Sequence, residues 1–206
     1  MAERIDGRTL RYQHRRGELL DAVGEYVLEN GIGSMSLRRV AQDVGVSHAT
    51  LQHHFGSKEE LIDEIIDHVL TRTLVPPAAD VEPPTLPDPE QRLREMWKQW
   101  TSPVGRRDIR LFLEMVGQSF YDTNGFAAAM RRSMEARTQI MAASIIAQGC
   151  PPEEAPVVAT LLIGELRGLM TDLLITHDDE RINAAFELVL DNARRRVEVW
   201  QRHLRG

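Results

Sequence analysis

Residues 36–58, SLRRVAQDVGVSHATLQHHFGSK, constrain the fold of this 206-residue chain more than any other stretch. Apolar residues recur at positions 37, 40, 41 and 44, the spacing of a short helix with one buried face. Gly45 follows at a point where a helix end favours positive φ. Ser47 suits the N-cap of a second helix, whose apolar residues are Leu51 and Phe55. The pattern predicts a helix-turn-helix unit that inserts its second helix into the DNA major groove.

Two flanking helices complete the predicted unit. Ser57 and Glu60 have the spacing of a capping box, and apolar residues follow at 61, 62, 65, 66, 69 and 70. Upstream, apolar residues at 19, 23, 26 and 27 predict a first helix that ends near Asn30 and Gly31. We therefore expect a three-helix unit and a connecting helix over roughly the first seventy residues.

Over about residues 10–72 the chain resembles the TetR family of bacterial transcriptional repressors. The resemblance rests on the segments SLRRVA from Ser36, VGVS from Val44, ATL from Ala49 and HFGSKEEL from His54. The chain departs from the family at Gln52, where tyrosine is usual, and at His53, where an aromatic residue is frequent. An amide changes the chemistry of base recognition, so the operator sequences of relatives are not expected to apply.

The resemblance also implies which residues contact DNA. Thr50, His54 and Lys58 match positions that contact the DNA backbone in TetR-like proteins, and Arg38 matches a position that reads guanine in some of them. A phosphate or intrahelical contact is the alternative for Arg38. Gln52 lies one turn after His48, and its amide suits adenine N6 and N7. The candidate DNA-binding residues are Ser36, Arg38, Ser47, His48, Ala49, Thr50, Gln52, His53, His54 and Lys58.

The distribution of charge agrees with a DNA-binding head. The net charge is −6, but residues 1–58 hold eight basic and seven acidic side chains, against seventeen basic and twenty-four acidic in the remainder. An acidic body with a locally basic head suits a protein that approaches phosphate by one end.

Composition and motifs argue against several other classes. No apolar stretch has the length of a membrane-spanning helix and the N-terminus has no signal-peptide core, so we expect a soluble, cytoplasmic protein. Cys150 is the single cysteine, which excludes an internal disulfide. His53 and His54 point about 100° apart on a helix, so DNA contact is favoured over a metal site. No motif of catalysis or cofactor binding occurs, and we expect neither enzyme activity nor a cofactor.

A proline-rich segment divides the chain. Residues 75–89 contain six of the ten prolines, which excludes helix interior and sheet. We expect a DNA-binding domain over 1–74, a linker over 75–89 and a helical domain over 90–206. Helices are predicted at about 89–101, 106–124, 125–149, 152–177 and 179–204, which makes the whole chain all-α.

The last two helices carry wide apolar stripes, and Gly164 and Gly168 permit close approach of another helix. The alternative is that both stripes face only their own core. The resemblance implies that these helices pair into a four-helix dimer interface. A homodimer suits a palindromic operator, because two heads present two recognition helices to successive major grooves.

Bulky, adaptable side chains lie between the head and these helices. Each residue taken alone suits a core position, but together they suit an apolar cavity, with polar Glu114, Gln118, Ser119 and Arg137 at intervals. The resemblance implies that a largely apolar small-molecule inducer binds there. The candidate ligand-binding residues are Trp97, Trp100, Phe112, Met115, Ser119, Phe120, Met130, Met134 and Met170.

The sequence therefore predicts a homodimeric, all-α transcriptional regulator, a repressor that a small molecule releases from its operator. The alternative from another class is a ligand-binding or protein-interaction module of the same fold that has weak or lost DNA binding, an alternative that Gln52 keeps open.

Overall fold

A computed structural model describes residues 7–33, 35–74, 88–121 and 126–205, and these form nine α-helices without a strand, which confirms the predicted all-α class. The helices are α1 (Gly7–Asn30), α2 (Leu37–Val44), α3 (His48–Phe55), α4 (Lys58–Leu74), α5 (Pro89–Thr101), α6 (Pro103–Ser119), α7 (Phe126–Ile146), α8 (Ala155–Thr176) and α9 (Asp179–Arg205). Within the described ranges, no helix combines the length and the apolar content that a membrane crossing requires.

The chain divides into two compact units. The first contains the described residues of 1–77 and 111–130, and the second those of 78–110 and 131–206. Helices α6 and α7 each contribute to both units. From the sequence, we assigned residues 111–130 to the C-terminal domain. In the structure, they form one unit with the N-terminal helices. Most of the predicted linker, residues 75–87, lies outside the described residues.

In the first unit, α1 packs on α2 and α4, and α3 packs on α2 and α4. The centre of this unit is made of aliphatic residues with no measurable exposure: Val23, Val27, Val40, Leu51, Leu61, Ile65 and Ile66. These side chains come from all four helices, so the predicted apolar stripes form one shared core.

The local signals that mark the helix ends are confirmed. The Ser36 hydroxyl accepts a hydrogen bond from the Arg39 amide at the start of α2, and Gly45 ends α2 with φ of 74°. In the capping box, the Ser57 amide donates to Glu60 at 2.7 Å and the Glu60 amide donates to Ser57 Oγ at 3.1 Å. Each hydrogen bond satisfies a backbone group that the helix itself leaves without a partner.

The second unit has its own core. Trp97 of α5 stacks on Phe186 of α9 with ring centroids 4.4 Å apart and planes within 5° of parallel, and its Nε1–H donates to Asn183 Oδ1 at 2.8 Å. A further cluster joins α7, α8 and α9: Ala142, Ile145, Cys150, Ala155, Ala159 and Trp200. Burial raises the pKa of the Cys150 thiol, which suits a packing role.

Two predicted helix starts were wrong, and α6 ends at Ser119 rather than near 124. We expected α6 to start near 106 after a break at Ser102–Gly105, but it starts at Pro103, because proline is tolerated in a first helical turn and the Ser102 hydroxyl accepts from the Gly105 amide. We expected α8 to start at 152, but it starts at Ala155, after a turn in which the Glu154 and Ala155 amides donate to the Pro151 carbonyl.

Candidate nucleic-acid interface

The recognition helix predicted from the sequence is α3, and its packing fixes which residues face outward. Leu51 is 0% exposed and Phe55 is 3% exposed, so this side of α3 faces the core. The opposite side exposes His48, Ala49, Gln52 and His53. These four side chains are therefore accessible to a binding partner. If α3 were turned about its axis by one residue position, some of them would be buried.

The first turn of α3 is held by its own hydroxyl groups. Ser47 Oγ accepts from the Thr50 amide at 3.0 Å and lies 2.8 Å from Thr50 Oγ1. If the Thr50 hydroxyl donates in that pair, the Ser47 hydroxyl keeps its own proton for an acceptor in solution. Both candidates thus lie at the exposed N-terminal end of α3, where the helix dipole favours an anion.

The remaining candidates lie around α3. Arg38 is exposed on α2, whereas Ser36 is half-buried and caps α2. Lys58 is half-buried in the first turn of α4, directly after the turn that ends α3. Among the candidates, the cations Arg38 and Lys58 therefore lie on the helices that flank α3 in sequence.

His54 differs from the other candidates in its protonation. Burial lowers the pKa of its imidazole, and the nearby charges of His53, Arg16 and Arg15 lower it further. The ring is therefore neutral at pH 7 and suits a hydrogen-bond donor rather than a cation for phosphate. Because the folded-state pKa lies below the ordinary 6.5, this group reduces the stability of the fold as pH falls below 6.5.

Sequence reasoning missed Arg16, which supports α3 from α1. Its Nε donates to the His54 carbonyl at 3.2 Å, its Nη2 lies 2.5 Å from Glu64 Oε1, and its guanidinium carbon lies 5.2 Å from the centre of the Phe55 ring. The carbonyls in the last turn of a helix lack partners within the helix, and a cation there is favourable. Arg16 thus joins the C-terminal end of α3 to α4. From the sequence, we expected the basic side chains of the head to face DNA. In the structure, Arg16 faces the protein interior instead.

Part of this chain is similar to known proteins. Residues 19–65 match the model of the bacterial regulatory proteins of the tetR family, and over these residues the chain is similar to that family. The HTH-type transcriptional repressor KstR2 of Mycobacterium tuberculosis is 40% identical over 52 residues, which are 25% of this chain and only 26% of that protein.

Solved structures of transcription regulators show the same fold over most of the chain. A TetR transcription regulator from Haloarcula marismortui is 24% identical with a TM-score of 0.67, covering 88% of this chain and 97% of its own. A transcriptional regulator from Saccharomonospora viridis, solved in complex with choline, is 19% identical with a TM-score of 0.63, covering 87% of this chain and 95% of its own. At these identities the likeness shows the fold alone.

A second feature of the first unit escaped sequence reasoning. Glu114 of α6 accepts hydrogen bonds through Oε1 from the Ile32 amide at 3.0 Å and the Gly33 amide at 2.8 Å. Gly31 has φ of +76°, and a Cβ on it would lie 2.7 Å from Glu114 Oε2. We expected Glu114 to orient a ligand in the cavity. The structure shows that this carboxylate holds the loop between α1 and α2, and a contact with a ligand stays a prediction.

The candidate ligand-binding residues divide between the two units. In the first unit, Phe112, Met115 and Met130 are buried, and the Ser119 hydroxyl donates to the Val116 carbonyl of its own helix. Phe120 is 76% exposed, which contradicts the expectation that it lines a cavity, because α6 ends at Ser119 and leaves Phe120 beyond its apolar stripe.

In the second unit, Trp97, Trp100 and Met170 are buried and Met134 is half-buried. The stacking of Trp97 on Phe186 gives this tryptophan a packing role. The assignment of these residues to an inducer stays a prediction.

Removal of the Arg16 guanidinium should loosen the C-terminal end of α3. We expect Arg16→Met, which keeps the aliphatic stem near Phe55, to accelerate amide exchange of residues 51–56 about tenfold, since a hydrogen bond from a charged group contributes about 1.5–3 kcal/mol. Hydrogen–deuterium exchange by NMR measures this. Arg15→Met is the matched control, because Arg15 is 59% exposed and pairs with Glu18 one turn away. Equal exchange in the two variants would show that Arg16 does not hold α3.

Proposed function

We propose that this chain is a sequence-specific DNA-binding transcriptional regulator that acts as a repressor. The observation that carries the proposal is α3 itself. It is capped by Ser47 at one end, held by Arg16 at the other, and packed so that His48, Ala49, Gln52 and His53 face outward. The name of the relative KstR2 describes a repressor, and that match covers 25% of this chain.

Contacts to the DNA backbone and to the bases come from different residues. We assign contacts with phosphate to Ser47 and Thr50 at the N-terminal end of α3, and to Lys58 at the start of α4. Gln52 and His48 share the exposed side of α3, and we assign them to base edges in the major groove. Arg38 is exposed on α2 and suits guanine or an adjacent phosphate.

We further propose that two copies of the chain pair through α8 and α9. Apolar side chains are exposed on one side of α8 at Val157 (72%), Leu161 (46%) and Ile175 (74%), and α9 exposes Leu188 (65%) and Val199 (40%). On the same side of α8, nothing lies within 4 Å of a Cβ built on Gly164 or Gly168. Exposed apolar side chains of this number indicate a protein partner, and open glycines allow another helix to approach closely.

Release by a small molecule requires that the molecule prefer the conformation that does not bind DNA. The structural neighbour solved with choline holds a small molecule on the same fold, which supports a ligand for this chain. We assign the coupling to α6, which begins in the second unit and carries Glu114 in the first. A shift of α6 would pull on the Ile32 and Gly33 amides and thus on the loop that leads into α2.

Lys58 should contribute one phosphate contact. We expect Lys58→Ala to weaken binding to specific and random duplexes alike, and to reduce the slope of log K against log salt by about one unit. Fluorescence anisotropy over roughly 50–300 mM salt measures the slope. Lys98→Ala is the matched control, because Lys98 is the only other lysine and lies exposed on α5. A slope that Lys58→Ala leaves unchanged would remove Lys58 from the interface.

Gln52 should read one base position in each half-site. We expect Gln52→Ala to cost about 1–3 kcal/mol at that position and to relax its base preference, while binding to random DNA stays the same. Selection from random duplexes with each protein measures the preference. Identical sequence preferences would exclude Gln52 as a reader. No enrichment by the wild-type chain would favour the alternative, a module of the same fold with weak or lost DNA binding.

A charge in the exposed apolar side of α8 should separate the two copies. We expect Leu161→Arg to weaken the dimer about 100-fold, since the two-fold axis brings two buried like charges together. Sedimentation equilibrium measures the change in mass from two 23.4 kDa chains to one. Val104→Arg is the control, because Val104 is 64% exposed on α6 rather than on α8 or α9. If both variants remain dimeric, another surface forms the dimer.

A further inference from the structure

The loop between α1 and α2 is anchored to α6 through one carboxylate oxygen. Glu114 Oε1 accepts hydrogen bonds from the Ile32 amide at 3.0 Å and from the Gly33 amide at 2.8 Å, and all three residues belong to the first unit. Successive amides that point at one oxygen form a cradle for an anion, and hydrogen bonds to a charged acceptor are the stronger ones. The Ile32 side chain is buried, so apolar packing holds the same part of the loop.

Glycine at two loop positions permits this close approach. Gly31 leaves no space for a Cβ beside the Glu114 carboxylate. A Cβ on Gly33 would lie 3.0 Å from Gln118 Nε2 and 3.2 Å from Glu114 Oε1. Glu114 and Gln118 lie one turn apart on α6, so the same side of α6 meets the loop at both glycines.

The anchored loop leads directly into α2. The Met35 amide donates to the Ile32 carbonyl at 3.1 Å, and Ser36 then caps α2 by accepting from the Arg39 amide. With eight residues, α2 is too short to be stable by itself, so its placement depends on packing and on how its ends are held. The hydrogen bonds of Ile32 therefore connect the Glu114 carboxylate to the start of α2.

From these contacts we infer that Glu114 is a positioning residue for DNA recognition, which fixes the start of α2 and thereby the direction in which Arg38 extends toward DNA. Arg38 is exposed in the first turn of α2, two positions after the cap. Lys58 begins α4, on the far side of α3 in the chain, and serves as the comparison. We take the contact between Arg38 and DNA from the proposed function, on which this inference rests.

Amide exchange tests the connection in the intact chain without DNA. We expect Glu114→Ala to accelerate exchange of the Ile32 and Gly33 amides about tenfold, because both lose a charged acceptor. The amides of Arg39 and Val40, which bond to Ser36 in the first turn of α2, should accelerate at least about threefold. Hydrogen–deuterium exchange by NMR measures all four amides.

The exchange experiment has a matched control. Glu135→Ala removes a carboxylate that is 57% exposed on α7 and pairs with Arg131 one turn away, so all four amides should exchange as in the wild type. Acceleration in Glu114→Ala that is confined to Ile32 and Gly33 would show that Glu114 holds the loop without positioning α2. That result would overturn the inference.

DNA affinity tests the effect on Arg38. On a duplex selected by the wild-type chain, Arg38→Ala should lower affinity about tenfold in the wild type but less than about threefold in Glu114→Ala, because a displaced Arg38 has less contact to lose. Lys58→Ala should lower affinity by the same factor in both backgrounds. Fluorescence anisotropy measures these affinities. If Arg38→Ala has the same effect with and without Glu114, then Glu114 does not position Arg38.

A conservative variant and a stability measurement exclude general unfolding as the cause. Glu114→Gln keeps an acceptor oxygen without the charge, so it should retain part of the dependence on Arg38, and it replaces Glu114→Ala in the comparison if that variant binds too weakly to measure. A fall in melting temperature of more than about 12 °C in both variants would show that Glu114 supports the whole unit, and would overturn the inference.

The inference and the proposed function can fail separately. If the wild-type chain selects no duplex, but exchange of the Arg39 and Val40 amides depends on Glu114, the DNA-binding function fails and the positioning of α2 stands. If the wild-type chain selects a duplex and Arg38→Ala has the same effect with and without Glu114, the DNA-binding function stands and the inference fails.

Discussion

The burial of Leu51 and Phe55 decides which side of α3 stays exposed. An eight-residue helix is too short to persist in water on its own, so its orientation comes from packing and from its ends. Ser47 holds the first turn through its hydroxyl, and Arg16 holds the last turn through the His54 carbonyl. The exposure of His48 and Gln52, and with it the proposed base recognition, follows from these contacts.

Basic side chains of the head differ in their surroundings. Arg16 faces inward and stabilises the end of α3, whereas Lys58 is half-buried at the start of α4, where we propose that it contacts a phosphate. His54 does not act as a cation at pH 7, because burial and the neighbouring cations lower the pKa of its ring and keep the ring neutral. A count of basic residues does not distinguish these cases, because the distinction depends on what each side chain contacts.

The sequence was most informative where a structural signal is contained within a few residues. The capping box at Ser57 and the positive φ at Gly45 were predicted, because each depends on neighbours within one helical turn. The hydrogen bonds of Glu114 were not predicted, because its partners lie about eighty positions away in the chain. Phe120 was misplaced for a related reason, since a helix end at Ser119 turns it away from the apolar stripe.

The sequence by itself determined the all-α class, the helix-turn-helix unit and the residues that α3 exposes, because periodicity and capping are local properties. Only the tertiary structure decided that Arg16 supports α3 and that Glu114 holds the loop before α2. These relations join helices far apart in sequence, and their energies depend on distance and burial, which no local pattern encodes.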